Sequence, residues 1–259
     1  MNESDNPWDV IAPHWDEQVG EGNDFQKLLV VPATDRLLAA KSGERILDAC
    51  CGNGSYSRKL GRVGCEVVAF DGSKIFIEIA MQKTRPADGR IEFRHLDACD
   101  RTQLESLGKT ESFDAIVCTM AMMDLPEIDT LLSVGRRLIT QTGRFVFSVG
   151  HPCFHTNESI KLATQDECEG QSRQDFGCLV MRYISDWEHN SRGLLEQPVP
   201  HKMYHRSIST ILTSCFRHGF VVDGMEEPAF PPDTRLRSPF SWARRPEIPP
   251  VMVIRLRPA

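Results

Sequence analysis

One segment constrains the fold of this 259-residue chain more than any other. Arg45–Ala49 (RILDA) is a short, mostly apolar run, Gly52 and Gly54 follow it, and residues 54–62 have the composition of a helix. Glycines at such a turn let the backbone bend sharply and let a ligand approach it closely. The start of the next helix offers free amides and the positive end of a dipole. The segment therefore predicts a strand, a ligand-binding loop and a helix.

The same alternation continues along the chain. The sequence predicts strands at 45–49, 66–70, 91–96, 113–119, 143–149, 220–223 and 250–256, and helices at 54–62, 73–83, 128–140 and 206–218, with Ser73 as an N-cap. Strands that alternate with helices at this spacing are typical of βαβ units. We therefore expect an α/β fold with a doubly wound, mostly parallel seven-stranded sheet. Ligands of such sheets bind at the carboxyl ends of the strands, where the strand order reverses.

Two regions lie outside this alternation. Residues 1–42 precede the first strand and contain a helical stretch at 24–40 that is interrupted at Pro32. Residues 151–205 are polar, contain several aromatic side chains and have no strong period. We interpret 1–42 as an N-terminal lid and 151–205 as an insertion that covers a substrate, both attached to a main domain of residues 43–259.

Charge and composition exclude some classes of function. The net charge of −6 and the pI of about 5.8 argue mildly against a nucleic-acid or anionic-membrane partner. No apolar run is long enough to cross a bilayer, and the first ten residues resemble no signal peptide, so we expect a cytoplasmic protein. The nine cysteines form no CxxC pair, which predicts free thiols and no metal site.

Two acids narrow the choice of ligand. Asp71 ends the second predicted strand about 20 residues after the glycine loop, the spacing of a carboxylate that binds ribose hydroxyls. Asp48 ends the first strand, where its charge would repel a pyrophosphate and would suit a ligand with an ammonium group. The third glycine position of a dinucleotide fingerprint holds Ser57. A nicotinamide-dependent dehydrogenase and a nucleoside-binding transferase remain open at this point.

The order of these residues resembles that of a known family. Asp48-x-Cys50-x-Gly52-x-Gly54 resembles motif I of the class I S-adenosylmethionine-dependent methyltransferases, D/E-x-G-x-G-x-G, with Cys50 at a glycine position. The stretch FDAIVCTMAMMDL, residues 113–125, resembles motif IV. The stretch HPCF at 151–154 and residues 205–228 resemble a type 11 subgroup of small-molecule methyltransferases related to ubiquinone biosynthesis.

This resemblance implies S-adenosylmethionine as cofactor, with S-adenosylhomocysteine as product. It assigns Asp48 and the loop to the methionine end, Asp71 to the ribose and Asp97 to the adenine. The predicted cofactor-binding residues are Asp48, Ala49, Cys50, Gly52, Gly54, Tyr56, Asp71, Gly72, Asp97, Ala98, Cys118, Met120 and Trp15.

The acceptor side is less defined by the sequence. His151 lies at the exit of the fifth predicted strand and is a candidate base, although a structural histidine before a proline is an alternative. His205 and Tyr204 are further candidates for catalytic residues, and Trp8, His14 and Trp15 could form an aromatic lid. We expect methyl transfer to an O, N, S or C atom of a small molecule. A tRNA methyltransferase, an NAD-dependent dehydrogenase and a non-catalytic binding module remain alternatives.

Overall fold

The computed structural model describes residues 6–168, 171–234, 238 and 240–259. The helices and strands are α1 Pro7–Val19, α2 Val31–Leu38, β1 Arg45–Ala49, α3 Ser55–Val63, β2 Glu66–Asp71, α4 Lys74–Lys83, β3 Ile91–His95, α5 Arg101–Glu105, β4 Phe113–Thr119, α6 Asp129–Leu138, β5 Ile139–Gly150, β6 Ser159–Cys168, β7 Gln171–Val180, β8 Trp187–Ser191, β9 His201–His205, α7 Ile208–Arg217, β10 Phe220–Glu226 and β11 Val251–Pro258. Among the described residues, four short 3-10 or π turns connect some of them.

Seven of the strands form one sheet in the order β10-β11-β5-β4-β1-β2-β3. β11 runs antiparallel to both of its neighbours, and the other pairs are parallel. This confirms the predicted doubly wound, mostly parallel sheet. The strand order reverses between β1 and β4, so the loops that follow these two strands meet at the edge where such sheets bind ligands.

The central strands are buried on both faces because helices cover each side of the sheet. One core cluster contains Leu47, Phe70, Phe113 and Phe147, and the other contains Ile46, Val67 and Val146. Neighbouring residues of one strand thus enter different clusters, as the alternation of side chains along a strand requires. Two buried faces also explain why these strands read as continuous apolar runs in the sequence.

Several predicted boundaries are confirmed. β1 and β4 have the predicted ends, and the Ser73 side chain caps α4 by accepting a hydrogen bond from Phe76 N. The prediction for α6 was too long, because β5 starts at Ile139, directly after the helix. The interruption expected at Pro32 is a π-helical turn, Gln26–Val30, after which α2 begins with Pro32 in its first turn, where its missing N–H costs no hydrogen bond.

Residues 151–205 contain secondary structure that the sequence pattern did not indicate. β6 and β7 form one antiparallel hairpin, and β8 and β9 form a second. Many residues of the first hairpin are exposed, so it lacks the apolar alternation that predicts a strand. The proposed lid at 1–42 is described from residue 6 onward, and residues 1–5 lie outside the described part. None of the described helices is long and apolar enough to span a membrane.

Candidate active site

The loop after β1 adopts a left-handed backbone at three positions. Cys50, Gly52 and Gly54 have φ angles of 57°, 54° and 73°. Gly54 is also crowded, since an added Cβ would lie 2.9 Å from Ala80 Cβ and 3.0 Å from the Phe93 ring. An added Cβ at Gly52 would meet no atom within 4 Å. Gly54 is therefore required by packing, whereas Gly52 leaves open space beside the loop.

Asp71 holds the loop in place from the neighbouring strand. Its two carboxylate oxygens accept hydrogen bonds from Gly52 N and Ser73 N, both at 2.8 Å. Burial raises the pKa of Asp71 to about 6, although these two amides act in the opposite direction. The acid predicted to bind a ribose thus lies directly against the glycine loop.

Asp48 lies beneath the loop and is fully buried. Ser57 donates a hydrogen bond of 2.5 Å to its Oδ2, while Oδ1 is buried and has no protein partner. Burial raises the pKa of this carboxyl group to about 7. The charge that the sequence assigned to Asp48 is therefore only partly developed near pH 7, and the unpartnered Oδ1 is an acceptor suited to a donor from a ligand.

The thiols of the loop are held in their protonated form. A hydrogen bond with Cys118, together with burial, raises the pKa of Cys50 well above its usual value. Burial similarly raises the pKa of Cys51, whose backbone N donates to Phe70 O at 2.9 Å. Thiolate chemistry depends on a lowered pKa, so these side chains act as small packing groups.

The exit of β4 resembles the exit of β1. Met120 also has a left-handed backbone, with a φ of 52°. Its backbone N donates to Ser148 O at 2.9 Å and to Ser148 Oγ at 3.0 Å, which fixes the turn against β5. Cys50 and Met120 each directly follow a strand, so the two neighbouring strands of the reversal point both end in a strained turn.

The other predicted cofactor residues differ in their burial and in their hydrogen-bond partners. The Tyr56 hydroxyl donates to Asp35 Oδ1 on α2 at 3.0 Å, so its ring packs beside that helix. Asp97 is exposed and accepts from Cys99 N at 2.8 Å, which leaves its other oxygen open to solvent. Ala49, Ala98 and Cys118 are buried in the core, and the Gly72 carbonyl accepts from Asn6 Nδ2 at 2.6 Å.

Helix α1 is bound to the glycine loop and to the start of α4. Asn53 Nδ2 donates to Asp16 Oδ1 and to Gly20 O, both at 2.8 Å. Ser73 Oγ donates to Asp9 Oδ1 at 2.6 Å. The sequence analysis did not single out Asn53, Asp9 or Asp16, because a polar residue in a loop or helix carries no signal of its distant partner.

The same helix also contacts the insertion. The ring centroid of Trp8 lies 4.5 Å from that of His201 and 5.7 Å from that of Trp15. His14 Nε2 lies 3.0 Å from Leu195 O. Trp8 and His14 therefore join α1 to the insertion, and the lid role of Trp8, His14 and Trp15 stays a prediction.

An apolar pocket opens beside the β4 exit. It is formed by residues after β4 and β5, by the second hairpin and by α7; its lining residues are Met122, Met123, Ile128, Val149, Gly150, Pro152, His155, Thr156, His189, Met203, Tyr204, His205, Arg206 and Ile211. The pocket lies at the carboxyl ends of the strands and belongs to the same sheet edge as the glycine loop.

The three predicted catalytic residues differ in their surroundings. His151 is buried; its Nε2 lies 2.7 Å from Glu227 Oε1 and its Nδ1 accepts from Cys153 N at 3.1 Å, while burial lowers its pKa. Its neighbours Gly150 and Pro152 line the pocket. A proton acceptor needs an open nitrogen, and both nitrogens of His151 are engaged. Its catalytic role stays a prediction that would require the Glu227 contact to open.

His205 and Tyr204 both line the pocket. His205 Nε2 lies 2.8 Å from Tyr183 O, and the ring stacks on Trp187 with centroids 5.1 Å apart. Tyr204 is the next residue along β9 and lies under the guanidinium of Arg206, at 5.7 Å from its ring centroid. Both positions are compatible with acceptor contact, which stays a prediction.

Asp124 is a buried acid that the sequence analysis did not propose as a site residue. Its side chain is 13% exposed, its Oδ1 has no hydrogen-bond partner, and His201 Nε2 lies 3.6 Å away. Burial raises the pKa of Asp124 well above its usual value, and burial lowers the pKa of His201 to about 4. The fold therefore brings two buried polar groups together between the β4 loop and the insertion, and burial disfavours the charged form of each.

Arg206 joins the insertion to the β4 loop. Its guanidinium donates to Met122 O, Leu125 O and Pro126 O at 3.3, 2.9 and 2.8 Å. Three carbonyl partners fix one wall of the pocket in position relative to the other. Arg206 is the first residue of a helix predicted from the sequence, but no sequence pattern indicated this role.

Comparison with known proteins agrees with this geometry. Residues 46–143 match the family model of a methyltransferase domain. The demethylmenaquinone methyltransferase of Clavibacter sepedonicus is 34% identical over 114 residues, which cover 44% of each chain. A ubiquinone biosynthesis O-methyltransferase of Xanthomonas oryzae is 25% identical over 107 residues, covering 41% of this chain and 43% of the relative.

The whole fold is also shared with a solved structure. An S-adenosylmethionine-dependent methyltransferase from Mesorhizobium loti superposes with a TM-score of 0.64 and 22% identity, over 87% of this chain and 96% of the other. This likeness extends the class I methyltransferase fold beyond the domain matched by sequence. The chain spans less than half the length of the curated relatives it matches, and residues 144–259 lie outside the sequence match to the family model.

The residues of the methyltransferase domain fit S-adenosylmethionine. The buried, unpartnered Oδ1 of Asp48 is an acceptor for the ammonium group of the methionine end. The open space beside Gly52 admits a ligand against the backbone, and Asp71 lies at the end of β2 for the ribose. These three features occur within one loop and its neighbouring strand.

Proposed function

We propose that this chain transfers the methyl group of S-adenosylmethionine to a small-molecule acceptor bound in the apolar pocket. The observation that carries the proposal is the position of this pocket at the same edge of the sheet as the glycine loop. Helix α1 contacts both the glycine loop and the insertion, and in this way it would hold the cofactor side and the acceptor side together. S-adenosylmethionine, when bound, supplies an activated methyl group.

In this proposal the protein contributes mainly position and exclusion of water. Asp48, Gly52 and Asp71 orient the cofactor, while the methionines and aliphatic residues of the pocket place the acceptor. Trp8 and Trp15 on α1 shield the space between them. Holding two reactants in an attack geometry and removing water from them can supply a large part of the barrier reduction.

Relatives support a small acceptor over a macromolecule. The matched proteins from Clavibacter and Xanthomonas are named for demethylmenaquinone and ubiquinone biosynthesis, and the net charge of −6 disfavours a nucleic-acid backbone. The proposed acceptor is thus an apolar small molecule that is methylated on an O, N, S or C atom. We propose a cytoplasmic location, which is consistent with the free thiols of the eight cysteines described.

Ligand-dependent melting tests the cofactor part of this proposal. S-adenosylhomocysteine should raise Tm by mass action, and NAD at the same concentration should leave it unchanged. The opposite result would favour the dehydrogenase alternative.

Incubation with methyl-tritiated S-adenosylmethionine tests the transfer. Label should enter organic-extractable products from a library of quinols, phenols and amines, and should not enter bulk tRNA. Cofactor binding without label in any acceptor would favour a non-catalytic binding module, and label in tRNA would favour a nucleic-acid methyltransferase.

A further inference from the structure

The second hairpin turns one face toward the pocket. The register pairs Trp187 with His205, His189 with Met203 and Ser191 with His201. Side chains alternate along a strand, so these six residues share one face of the hairpin. Of the intervening residues, Glu188, Asn190 and Lys202 are exposed, whereas Tyr204, at the end of β9, is half-buried and also lines the pocket. The fold thus places histidines on the inner face, where His189 and His205 line the pocket.

His189 differs from the other polar residues of this lining. Its Nδ1 and Nε2 are both buried and neither has a hydrogen-bond partner in the part of the chain that the structure describes. His155 and His205, in contrast, each have a ring nitrogen close to a backbone carbonyl, at 3.1 and 2.8 Å. Arg206 is bound to three carbonyls.

A buried polar group without a partner destabilises the folded state. Native proteins retain such a group mainly where a ligand or water completes its hydrogen bonds. Burial lowers the pKa of His189, and the nearby His205 acts in the same direction while Glu158 opposes it. A neutral imidazole offers one N–H donor and one nitrogen acceptor, so it can bind a hydroxyl group in either sense.

We propose that His189 is the hydrogen-bonding anchor for the acceptor and that the acceptor is an uncharged, largely apolar ring compound that carries a hydroxyl group. The inference rests on the proposed function, because it assigns the pocket to the acceptor. The described lining contains no carboxylate for a cationic amine, and its arginine is already occupied by carbonyls. The methionine, valine and isoleucine side chains suit a flat apolar ring.

The test uses catechol as a hydroxylated probe and toluene as an apolar probe of similar size, with S-adenosylhomocysteine present. In the wild-type protein, catechol should bind about 10-fold more tightly than toluene, as one buried hydrogen bond allows. His189→Phe should abolish this preference, because it should weaken the binding of catechol and leave the binding of toluene unchanged. Asn190→Ala, an exposed neighbour on the opposite face, is the matched control and should keep it. Binding is measured by titration calorimetry.

Nuclear magnetic resonance of ring-labelled histidine provides a second readout. The His189 ring nitrogens should shift on addition of catechol and not on addition of toluene. The inference is overturned if catechol leaves these signals unchanged, if it fails to bind, or if His189→Phe retains the preference. The Tm increase with S-adenosylhomocysteine is recorded on the same samples. If Tm rises with S-adenosylhomocysteine but the catechol test is negative, only the role of His189 as anchor is rejected. If Tm does not rise, the proposed function is rejected.

Discussion

The cofactor side and the acceptor side of this sheet edge are built differently. The cofactor side is local: Asp48, the loop and Asp71 lie within 24 consecutive residues and act largely through backbone amides. The acceptor side joins residues from the exits of β4 and β5, the second hairpin and α7, and acts through side chains. A local, backbone-based site leaves a readable spacing in the sequence, whereas a site of distant side chains does not.

If this comparison is correct, changes at the loop should affect cofactor binding and changes at the hairpin should affect only the acceptor. The largest effect is expected from Gly54→Ala, because the new Cβ would clash with Ala80 and Phe93 on a left-handed backbone. We expect a loss of about 3 kcal/mol in the free energy of unfolding. Gly52→Ala, which meets no neighbour, should lose less. Urea unfolding measures both, and equal losses would contradict the packing role of Gly54.

Asp71→Asn should give the next largest effect. The amide supplies one oxygen where the carboxylate supplies two for Gly52 N and Ser73 N, and it lacks the charge that strengthens a bond to ribose. S-adenosylhomocysteine should bind roughly 30-fold more weakly, since hydrogen bonds to charged groups are worth about 1.5–3 kcal/mol. Glu78→Gln, on the exposed side of α4, is the control. An unchanged Kd in Asp71→Asn would remove this acid from the cofactor site.

Asp48 should make stability depend on pH in the ligand-free protein. Its pKa of about 7 lies above the unfolded value near 3.8, so the folded state holds an extra proton between these values. Stability is therefore highest below pH 4 for this group and declines as pH rises through 7. Asp48→Asn, which can still accept from Ser57, should remove this decline, with a gain on the order of 2 kcal/mol at pH 8.

The measurement is Tm against pH for wild type and for Asp48→Asn, with exposed Glu78→Gln as the control. S-adenosylhomocysteine should reduce the decline in the wild type, because its ammonium group favours the charged carboxylate. Parallel curves for wild type and Asp48→Asn would show that Asp48 titrates normally.

Arg206→Met tests the acceptor side. It removes three hydrogen bonds to carbonyls between the hairpin and the β4 loop while keeping the apolar stem of the side chain. Label transfer from S-adenosylmethionine should fall about 10-fold through a raised KM for the acceptor, on the basis of roughly 1.4 kcal/mol lost. The Kd for S-adenosylhomocysteine should not change. Lys202→Met, exposed on the same hairpin, is the control, and a loss of cofactor affinity in Arg206→Met would break the separation of the two sides.

The smallest effect is expected at Cys50. Cys50→Gly relieves a left-handed residue but removes the thiol contact with Cys118 and adds unfolded-state entropy. These contributions oppose each other, so the free energy of unfolding should change by less than about 1 kcal/mol. Cofactor affinity should stay within a few-fold of wild type. A large loss of affinity would mean that the cysteine itself contacts the cofactor.

The sequence predicts the sheet well because its signals are local. The apolar runs of β1 and β4 define their own ends, and Ser73 is an N-cap that needs only its own helix. The first hairpin gives no such signal. Because most of its residues are exposed, apolar and polar side chains do not alternate along its strands. Nothing near Asp124 or His189 in the sequence indicates that each would have a buried atom without a partner. Asp124 lies against the distant His201, and His189 belongs to a hairpin that the sequence pattern did not indicate.

Helix α1 has a kinetic consequence. It is held to the glycine loop through Asn53 and to the insertion through Trp8 and His201, so one element joins the glycine loop to the second hairpin. Exchange of spent cofactor for fresh cofactor would then require movement of a helix that also packs against the second hairpin. We expect compulsory ordering of substrates, with the cofactor entering first and its product leaving last. In steady-state assays S-adenosylhomocysteine would then compete with S-adenosylmethionine and inhibit noncompetitively against the acceptor.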